Sequence, residues 1–398
     1  MNFQQLYILN IDHDLSLANG NENYMSPDSA RQMNEDLALL PFWYAMPGSS
    51  VLCASAYNLE FLDEMQEAFG LIENPVTLTV PCELDDGLCR KIVPWGWNKA
   101  LRKRLLNAGI MERDVPSLSV IDRLRSLSHR SQAVNILPHL RLNSSFCGDS
   151  RFLVTLEDCR NYVLRHDSCL LKAPLSGSGK GLYWCKGEFT RYVSGWCDRI
   201  SMSQEGVIGE PIYNKVMDFA LEFQSDGIGH VRFVGYSLFK TNKKGAYESN
   251  ELLSDAEIEC RLSQYVFIDD LKLLRHCLEK KLSIIFGNDY SGYLGVDMMI
   301  CSFEELPVYR IHPCVEINLR MNMGLLARFL YDRFLISGVE GKLRIDYFMS
   351  NQDLVRYHQI MTERYPLLIK GGKVHSGYFP LTPVAKPDCL YLASAVVL

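Results

Sequence analysis

The amino-acid sequence predicts a parallel α/β domain followed by a longer region that mixes helices and strands. Two observations indicate this fold class: short apolar runs alternate with helix-periodic segments over residues 1–115, and strand patterns dominate much of residues 170–321. The 398-residue length is sufficient for two to three domains. The composition, with 47% hydrophobic and 22% charged residues, argues against a disordered or fibrous chain.

The N-terminal elements follow from these local patterns. Residues 6–10 and 51–55 are apolar runs that end at polar turn residues, which is typical of buried strands. Residues 59–69 and 98–108 have helical spacing, and Gly109 is a suitable helix stop. The first strand leads into the polar segment Asp12-His13-Asp14 and residues 19–24.

Two interpretations of this polar segment remain open at the level of the sequence. The carboxyl end of a first α/β strand is where such sheets bind ligands. Asn, Asp and Gly also favour plain turns for backbone reasons alone. The triplet Asp12-His13-Asp14 is too short to indicate a metal site.

Composition also excludes classes of function. The formal charge of −6, from 41 basic and 47 acidic residues, gives no reason to expect a nucleic-acid or membrane partner. No apolar run approaches the ~18–20 residues of a membrane span, and no signal-peptide pattern begins the sequence. The thirteen cysteines form no Cys-x-x-Cys pair and lie mostly in apolar runs. We therefore expect reduced, buried thiols and a cytoplasmic protein.

A glycine-rich loop joins two predicted strands within residues 170–185. Its three glycines and two serines allow backbone N–H groups to approach a phosphate, and Lys172 and Lys180 add positive charge. It is not a P-loop, because Pro174 and Gly181 stand where that motif requires Gly and Ser or Thr. By itself the loop is also compatible with an ordinary turn.

Two later strands carry acidic and amide side chains. Asp297 interrupts the apolar run 293–300, and burying an unpaired carboxylate costs several kcal/mol. In residues 309–321 the alternation places Glu316, Asn318 and Arg320 on one strand face. A hairpin of these strands would bring Asp297 beside Glu316 and Asn318, three oxygen ligands suited to Mg²⁺ shared with nucleotide phosphates. The alternative is a solvated strand face.

The chain resembles the ATP-grasp superfamily over residues 117–330. The resemblance rests on the order of four features: the lysine-and-glycine loop, a Glu-led turn at position 210, Asp297 and the Glu316-x-Asn318 motif. The resemblance implies an ATP-grasp fold of two α+β subdomains that clasp ATP, preceded by a pre-ATP-grasp-like α/β domain. We therefore divide the chain into residues 1–115, residues 116–345 with a lid subdomain at about 150–210, and a C-terminal extension, 346–398, that packs on the core.

The resemblance also implies how the nucleotide is bound. Glu210 would accept a hydrogen bond from the adenine amino group, with backbone near Ile212 completing that edge, and Asp218 would bind the ribose, with Glu222 as a rival. The groups near the phosphates would be Arg130, where the family usually has lysine, and Lys172, Ser176, Gly177, Ser178, Gly179 and Lys180.

Chemistry is implied in the same way. Asp297, Glu316 and Asn318 would hold Mg²⁺ or Mn²⁺, while Arg320 and Lys172 would neutralise charge on the transferring phosphoryl group. The implied enzyme is an ADP-forming ligase that joins a small-molecule or peptide carboxylate to an amine through an acyl phosphate. A homodimer is expected from the family.

Two other functions remain open. One is phosphotransfer to a hydroxyl, and the other is an inactive nucleotide-binding protein. Gly295 favours the second, because several ligases of the family carry a substrate-side arginine there. Residues 19–24 and 239–250, the latter with Lys243 and Lys244, are candidate substrate-facing loops or plain surface.

Overall fold

The computed structural model describes residues 4–54, 56–177, 179–242, 245–384 and 387–398. Within these ranges the strands form three sheets: a parallel sheet of four strands, an antiparallel sheet of four strands and an antiparallel sheet of nine strands. The sequence prediction of a parallel N-terminal α/β domain followed by mixed α+β structure is thereby confirmed. No helix in the described ranges is long and apolar enough to cross a membrane.

The N-terminal sheet has the strand order β3-β2-β1-β4 and is parallel throughout. Its strands pack on apolar helix faces through a core that includes Leu6, Ile92 and Leu101. The strands are β1 (Gln4–Ile8), β2 (Ser50–Leu52), β3 (Thr77–Thr79) and β4 (Arg90–Pro94). The helices are α1 (His13–Asn19), α2 (Asp28–Asp36), α3 (Ala56–Ala68) and α4 (Lys99–Asn107).

The segment after β1 differs from the expected polar loop. Residues 13–19 form helix α1, which buries His13, Ser16 and Leu17 and ends at Gly20. Gly20 has a φ of 71°, the left-handed conformation that favours glycine at a helix end. Burial of these three side chains on one helix outweighs the preference of the surrounding Asn and Asp residues for turns.

A small antiparallel sheet, ordered β5-β8-β6-β7, occupies the region expected to be the lid. Its core contains four buried cysteines, and none of the thirteen cysteines of the chain is in a disulfide. Helices α5 (Leu118–Leu127) and α6 (Ser131–Leu140) precede it. The region comprises β5 (Arg151–Leu153), α7 (Leu156–Leu164), β6 (Cys169–Lys172), β7 (Leu182–Cys185), α8 (Arg191–Gln204) and β8 (Val207–Pro211).

The largest sheet contains nine strands in the order β13-β12-β9-β10-β11-β14-β17-β16-β15. Strands from residues beyond 346 join this sheet, so the C-terminal segment lengthens the core sheet as well as packing on it. Its strands are β9 (Lys215–Asp226), β10 (Val231–Thr241), β11 (Tyr247–Leu252), β12 (Ser291–Ser302), β13 (Tyr309–Asn318), β14 (Gly341–Tyr347), β15 (Leu368–Lys370), β16 (Lys373–Pro380) and β17 (Tyr391–Val397). The accompanying helices are α9 (Asp255–Leu262), α10 (Ile268–Phe286), α11 (Met323–Phe334) and α12 (Asn351–Arg364).

One face of this sheet packs on α6 and α10. The opposite face is partly covered by α11 and by the N-terminal domain, through a core that includes Trp43, Leu325 and Phe379. Between that face, the N-terminal domain and the glycine loop lies a cavity of about 400 Å³. The fold thus gathers side chains from three parts of the chain around one space.

Candidate active site

The two acidic strands form the antiparallel pair that the sequence predicted. Asp297 on β12 is directly opposite Glu316 on β13, and Gly295 is opposite Asn318. The amide Nδ2 of Asn318 donates to Oδ2 of Asp297 at 3.0 Å. All three polar side chains line the cavity, so the structure brings together the proposed metal ligands.

The hydrogen bond from Asn318 does not by itself offset the repulsion between the carboxyl groups of Asp297 and Glu316. Burial, together with the nearby carboxylates of Glu316 and Glu222, raises the pKa of Asp297 well above its usual value. Glu316 forms an ion pair with Arg130, with 2.8 Å between Oε1 and Nη2. A divalent cation bound here would remove the repulsion that disfavours the charged form of Asp297.

The donor set suits a metal ion that is shared with another ligand. Among the described residues, no group of three or more His, Cys, Asp or Glu side chains is placed to hold a metal ion. Asp297 and Glu316 supply two carboxylates and Asn318 an amide oxygen, which leaves several positions of an octahedral Mg²⁺ for water or phosphate. These residues therefore fit Mg²⁺ bound jointly with a nucleotide.

Arg320 reaches the N-terminal domain at the same site. Its Nε and Nη2 donate to the two carboxylate oxygens of Asp14 at 2.8 and 2.7 Å. Burial alone would raise the pKa of Asp14, but the Arg320 guanidinium holds it below the usual value. Asp14 and Asp12 both line the cavity, so the N-terminal segment contributes to the site, although by way of a helix.

The glycine loop is fixed to the acid pair by Arg130. Its Nη1 donates to the Ala173 carbonyl and to Ser176 Oγ, both at 2.6 Å, and Nη2 donates to the Ser176 carbonyl at 2.8 Å. Gly177 passes so close to Asp14 that any Cβ at position 177 would overlap that carboxylate. The loop therefore closes on the N-terminal domain in this structure.

Further along the loop, two residues line the cavity. Gly179 has a φ of 72° and faces the backbone at Gly245, where a Cβ would lie 2.7 Å from the Gly245 carbonyl carbon. Lys180 is exposed. Ser178, which the sequence also assigned to this loop, lies outside the described residues, as do Lys243 and Lys244.

Lys172 and Glu210 form an ion pair under the lid and do not line the cavity. Nζ of Lys172 is 2.5 Å from Oε2 of Glu210, and the two side chains are 7% and 5% exposed. Ser150 Oγ donates to the other Glu210 oxygen at 3.2 Å. His312 is fully buried next to this pair, and burial lowers its pKa to about 4. Lys172 and Glu210, to which the sequence analysis assigned the phosphate and adenine contacts, are therefore bonded to each other in this structure.

The remaining nucleotide residues are at the edge of the site. Ile212 follows β8 and is partly exposed. Asp218 forms an ion pair with Lys215 and accepts from Thr241 Oγ1 at 2.9 Å. Asp218 and Glu222 flank Ala220, the cross-strand partner of Asp297, so both acids point to the cavity side of β9.

Glu222 is the buried acid nearest to position 295. It is the cross-strand partner of Gly295, and a Cβ on Gly295 would lie 2.5 Å from Oε2 of Glu222. A larger side chain at position 295 would require the ends of the Glu222 and Asn322 side chains to move. Asn322 and Ser237 donate to the Glu222 oxygens at 2.8 and 3.1 Å.

Several cavity residues had no distinct signal in the sequence. Asn322 precedes helix α11 and Gly324 lies within it, so the alternation of strand β13, which ends at Asn318, does not extend to them. Ser237 and Tyr347 could not have been found, because they come from separate strands that only the sheet topology brings together. Residues of the predicted substrate-facing segment 239–250 line the cavity, Asn250 among them. Other predicted residues that line it are Asp12, Asp14, Gly177, Gly179, Lys180, Glu222, Asp297, Glu316, Asn318 and Arg320.

Comparison with known proteins gives matches at the level of structure. No family model and no curated protein matches this sequence. The fold is similar to the biotin carboxylase domain of 2-oxoglutarate carboxylase from Hydrogenobacter thermophilus in complex with MgADP, ADP and bicarbonate, at 12% identity and TM-score 0.53. That match covers 100% of this chain and 87% of the other. Biotin carboxylase from Campylobacter jejuni in complex with an ATP analogue matches at 11% identity and TM-score 0.54, covering 99% and 87%.

Proposed function

We propose that this chain, which has the ATP-grasp fold that its motifs predicted, is an ATP- and Mg²⁺-dependent ligase. It would activate a substrate carboxylate as an acyl phosphate for attack by an amine. The observation that carries the proposal is the acid pair Asp297–Glu316, bonded to Asn318 and facing the glycine loop across a shared cavity. Two biotin carboxylases of similar fold, with MgADP or an ATP analogue bound, support the same class of reaction.

The residues divide the reaction between them. Asp297, Glu316 and Asn318 would hold Mg²⁺, which would neutralise charge on the nucleotide phosphates. Arg130, paired with Glu316, and Arg320, paired with Asp14, bring two guanidinium groups next to cavity carboxylates, where they would stabilise developing negative charge. The glycine loop covers the phosphates with backbone N–H groups and excludes water.

The chemistry needs no nucleophilic side chain. The substrate carboxylate attacks the γ-phosphorus and ADP leaves, giving the acyl phosphate. The amine then attacks the acyl carbon, a C–N bond forms, and inorganic phosphate leaves.

Lys172 and Glu210 would exchange their ion pair for phosphate and adenine contacts when the nucleotide binds. Asp218 would contact the ribose. Cytoplasmic location, Mn²⁺ as an alternative metal and a homodimer belong to the same proposal.

The test is a reaction screen with the purified full chain, ATP and Mg²⁺. Mixtures of a carboxylic acid and an amine are assayed for ADP, phosphate and a condensed product by mass spectrometry. Asp297→Asn and Glu316→Gln should abolish turnover. Asp289→Asn, on an exposed ion pair with Arg123, should keep it and serves as the matched control.

Three results would contradict the proposal. Turnover that survives Asp297→Asn would show that the acid pair holds no catalytic metal. A stable phosphorylated product that forms without amine would establish phosphotransfer to a hydroxyl. Binding of ATP with no phosphate release for any acceptor would establish an inactive nucleotide-binding protein.

A further inference from the structure

Beyond the acid pair, the cavity contains a second, separate polar centre at Glu222. This side chain is 1% exposed, and both of its hydrogen-bond donors in the described structure, Asn322 and Ser237, are neutral groups. An ionised carboxylate offers about four lone-pair positions, and these two contacts leave room for further donors. Glu222 therefore combines burial, a carboxyl group whose donors in the described structure are neutral, and unused acceptor capacity.

Asn250 provides a second acceptor on the same floor of the cavity. It is 1% exposed, and its Nδ2 donates to the Leu238 carbonyl at 3.3 Å. Its Oδ1 is buried and receives no donor from the described residues. Asn250 pairs with Phe239 on β10, two residues from Ser237, so its side chain is on the same face of the sheet as the Glu222 cluster. A buried amide oxygen without a donor is costly, and a bound ligand can supply the donor.

The surroundings of these two acceptors are apolar and aromatic. Strands β10, β14 and β17 contribute Phe239, Ile345, Tyr347 and Tyr391 to the cavity lining. The basic side chains among the described lining residues are Lys180, in the glycine loop, and Arg320, which Asp14 holds. This part of the cavity is therefore suited to a hydrogen-bond donor of positive charge on an apolar body. It is poorly suited to an anion.

We propose that Glu222 and Asn250 form the binding subsite for the amine substrate, and that this substrate is a primary amine with an aromatic or aliphatic body. An ammonium group offers three N–H donors and a positive charge, which match an unpaired carboxylate and an orphaned amide oxygen. The inference rests on the proposed ligase function and names its nucleophile. Burial raises the pKa of Glu222 to about 7, so the carboxyl is partly protonated at neutral pH in the empty cavity, and a bound ammonium group would favour its ionised form.

The experiment measures binding and not turnover. Phenethylamine, 2-phenylethanol and 3-phenylpropanoate share one aromatic body and carry a cationic, neutral or anionic head. Each is titrated into the full-length protein by calorimetry without nucleotide. The wild-type protein should bind phenethylamine about tenfold or more tighter than the other two, because a hydrogen bond to a charged group contributes about 1.5–3 kcal/mol.

Variants assign that preference to the subsite. Glu222→Gln keeps the size of the side chain and should reduce phenethylamine affinity about tenfold. Glu340→Gln, a matched change at an exposed glutamate, should alter neither. Tyr347→Ala, at a residue that is 55% exposed and so tolerates substitution, should weaken phenethylamine several-fold.

The outcomes separate this inference from the proposed function. Asp297→Asn should lose Mg²⁺–ATP and still bind phenethylamine, so failure of the nucleotide chemistry is seen independently of the amine subsite. Undetectable binding of phenethylamine at millimolar concentration, equal binding of the three probes, or preference for the anion would overturn the subsite. Unchanged affinity in Glu222→Gln would do the same, and if that variant does not fold, unchanged affinity in Tyr347→Ala decides against it.

Discussion

Replacing Asp297 by asparagine is expected to stabilise the nucleotide-free protein while removing its response to Mg²⁺–ATP. The substitution keeps the size of the side chain and an oxygen that can accept the 3.0 Å hydrogen bond from Asn318. It removes a half-buried carboxyl group directly opposite Glu316, whose charge disfavours the ionised form of Asp297. A charge that a metal ion would balance therefore destabilises the folded state when the metal is absent.

The size of the gain follows from the strand pairing. Directly opposed residues have Cβ atoms about 5 Å apart, and two unit charges at that separation repel by about 3 kcal/mol at an effective dielectric constant of about 20. Arg130, at 2.8 Å from Glu316, offsets part of this repulsion. We therefore expect the free energy of unfolding to rise by about 1–2 kcal/mol, within the usual range for relieving such sites.

The assay is urea unfolding of the wild type and of the Asp297→Asn variant, with and without Mg²⁺–ATP. A ligand at about one hundred times its dissociation constant stabilises the wild type by about 2.7 kcal/mol, and the variant should lack this increment. Asp289→Asn should keep it. A variant that is less stable than the wild type without ligand, or that keeps the full increment, would refute the reasoning.

Three more results are expected. Lys172→Gln should lower the free energy of unfolding by about 3 kcal/mol, since it leaves Glu210 buried and unpaired, and adding Glu210→Gln should recover most of that loss; no recovery in urea unfolding would contradict the ion pair. Gly177→Ala should cost about 1–3 kcal/mol through overlap with the neighbouring carboxylate, whereas Gly195→Ala, in a helix with open space around it, should stabilise by about 0.5–1 kcal/mol; equal effects would contradict the close approach. The folded state raises the Glu222 pKa from 4.5 to about 7, so the folded protein binds an extra proton and loses stability as pH rises through that interval. Glu222→Gln should reduce this loss by about 1–3 kcal/mol. Identical pH profiles of stability for the wild type and the variant would argue against this prediction.

The sequence was informative where local periodicity determines position. Alternation in residues 309–318 places Glu316 and Asn318 on one face, and the single acid in an apolar strand indicated that Asp297 needed a partner. An antiparallel neighbour along the chain was enough to bring them together. The same pattern could not predict that Arg320 would pair with Asp14, 306 residues away, because that contact depends on how two domains dock.

The sequence also failed where the structure balances charges internally. Lys172 and Glu210 match two nucleotide contacts of the family, and in this structure they neutralise each other, since both are buried. The expected polar loop after β1 is partly helix α1, because His13, Ser16 and Leu17 find apolar or buried surroundings that propensity does not describe. The sequence marks residues 239–250 as a candidate substrate-facing loop, but the sheet order that brings Asn250 to the same face as Glu222 is not visible in any local pattern.

Two arginines pair with two of the five acidic side chains that line the cavity. Arg130 pairs with Glu316 and fixes the glycine loop, while Arg320 pairs with Asp14 and joins the end of β13 to the N-terminal domain. Glu316 is also a proposed metal ligand, so a cation there competes with Arg130 for the same oxygens. An arginine released from Glu316 would then be available to a nucleotide phosphate. Binding of the metal and of the nucleotide should therefore be mutually dependent, because neither alone satisfies both the acids and the arginines.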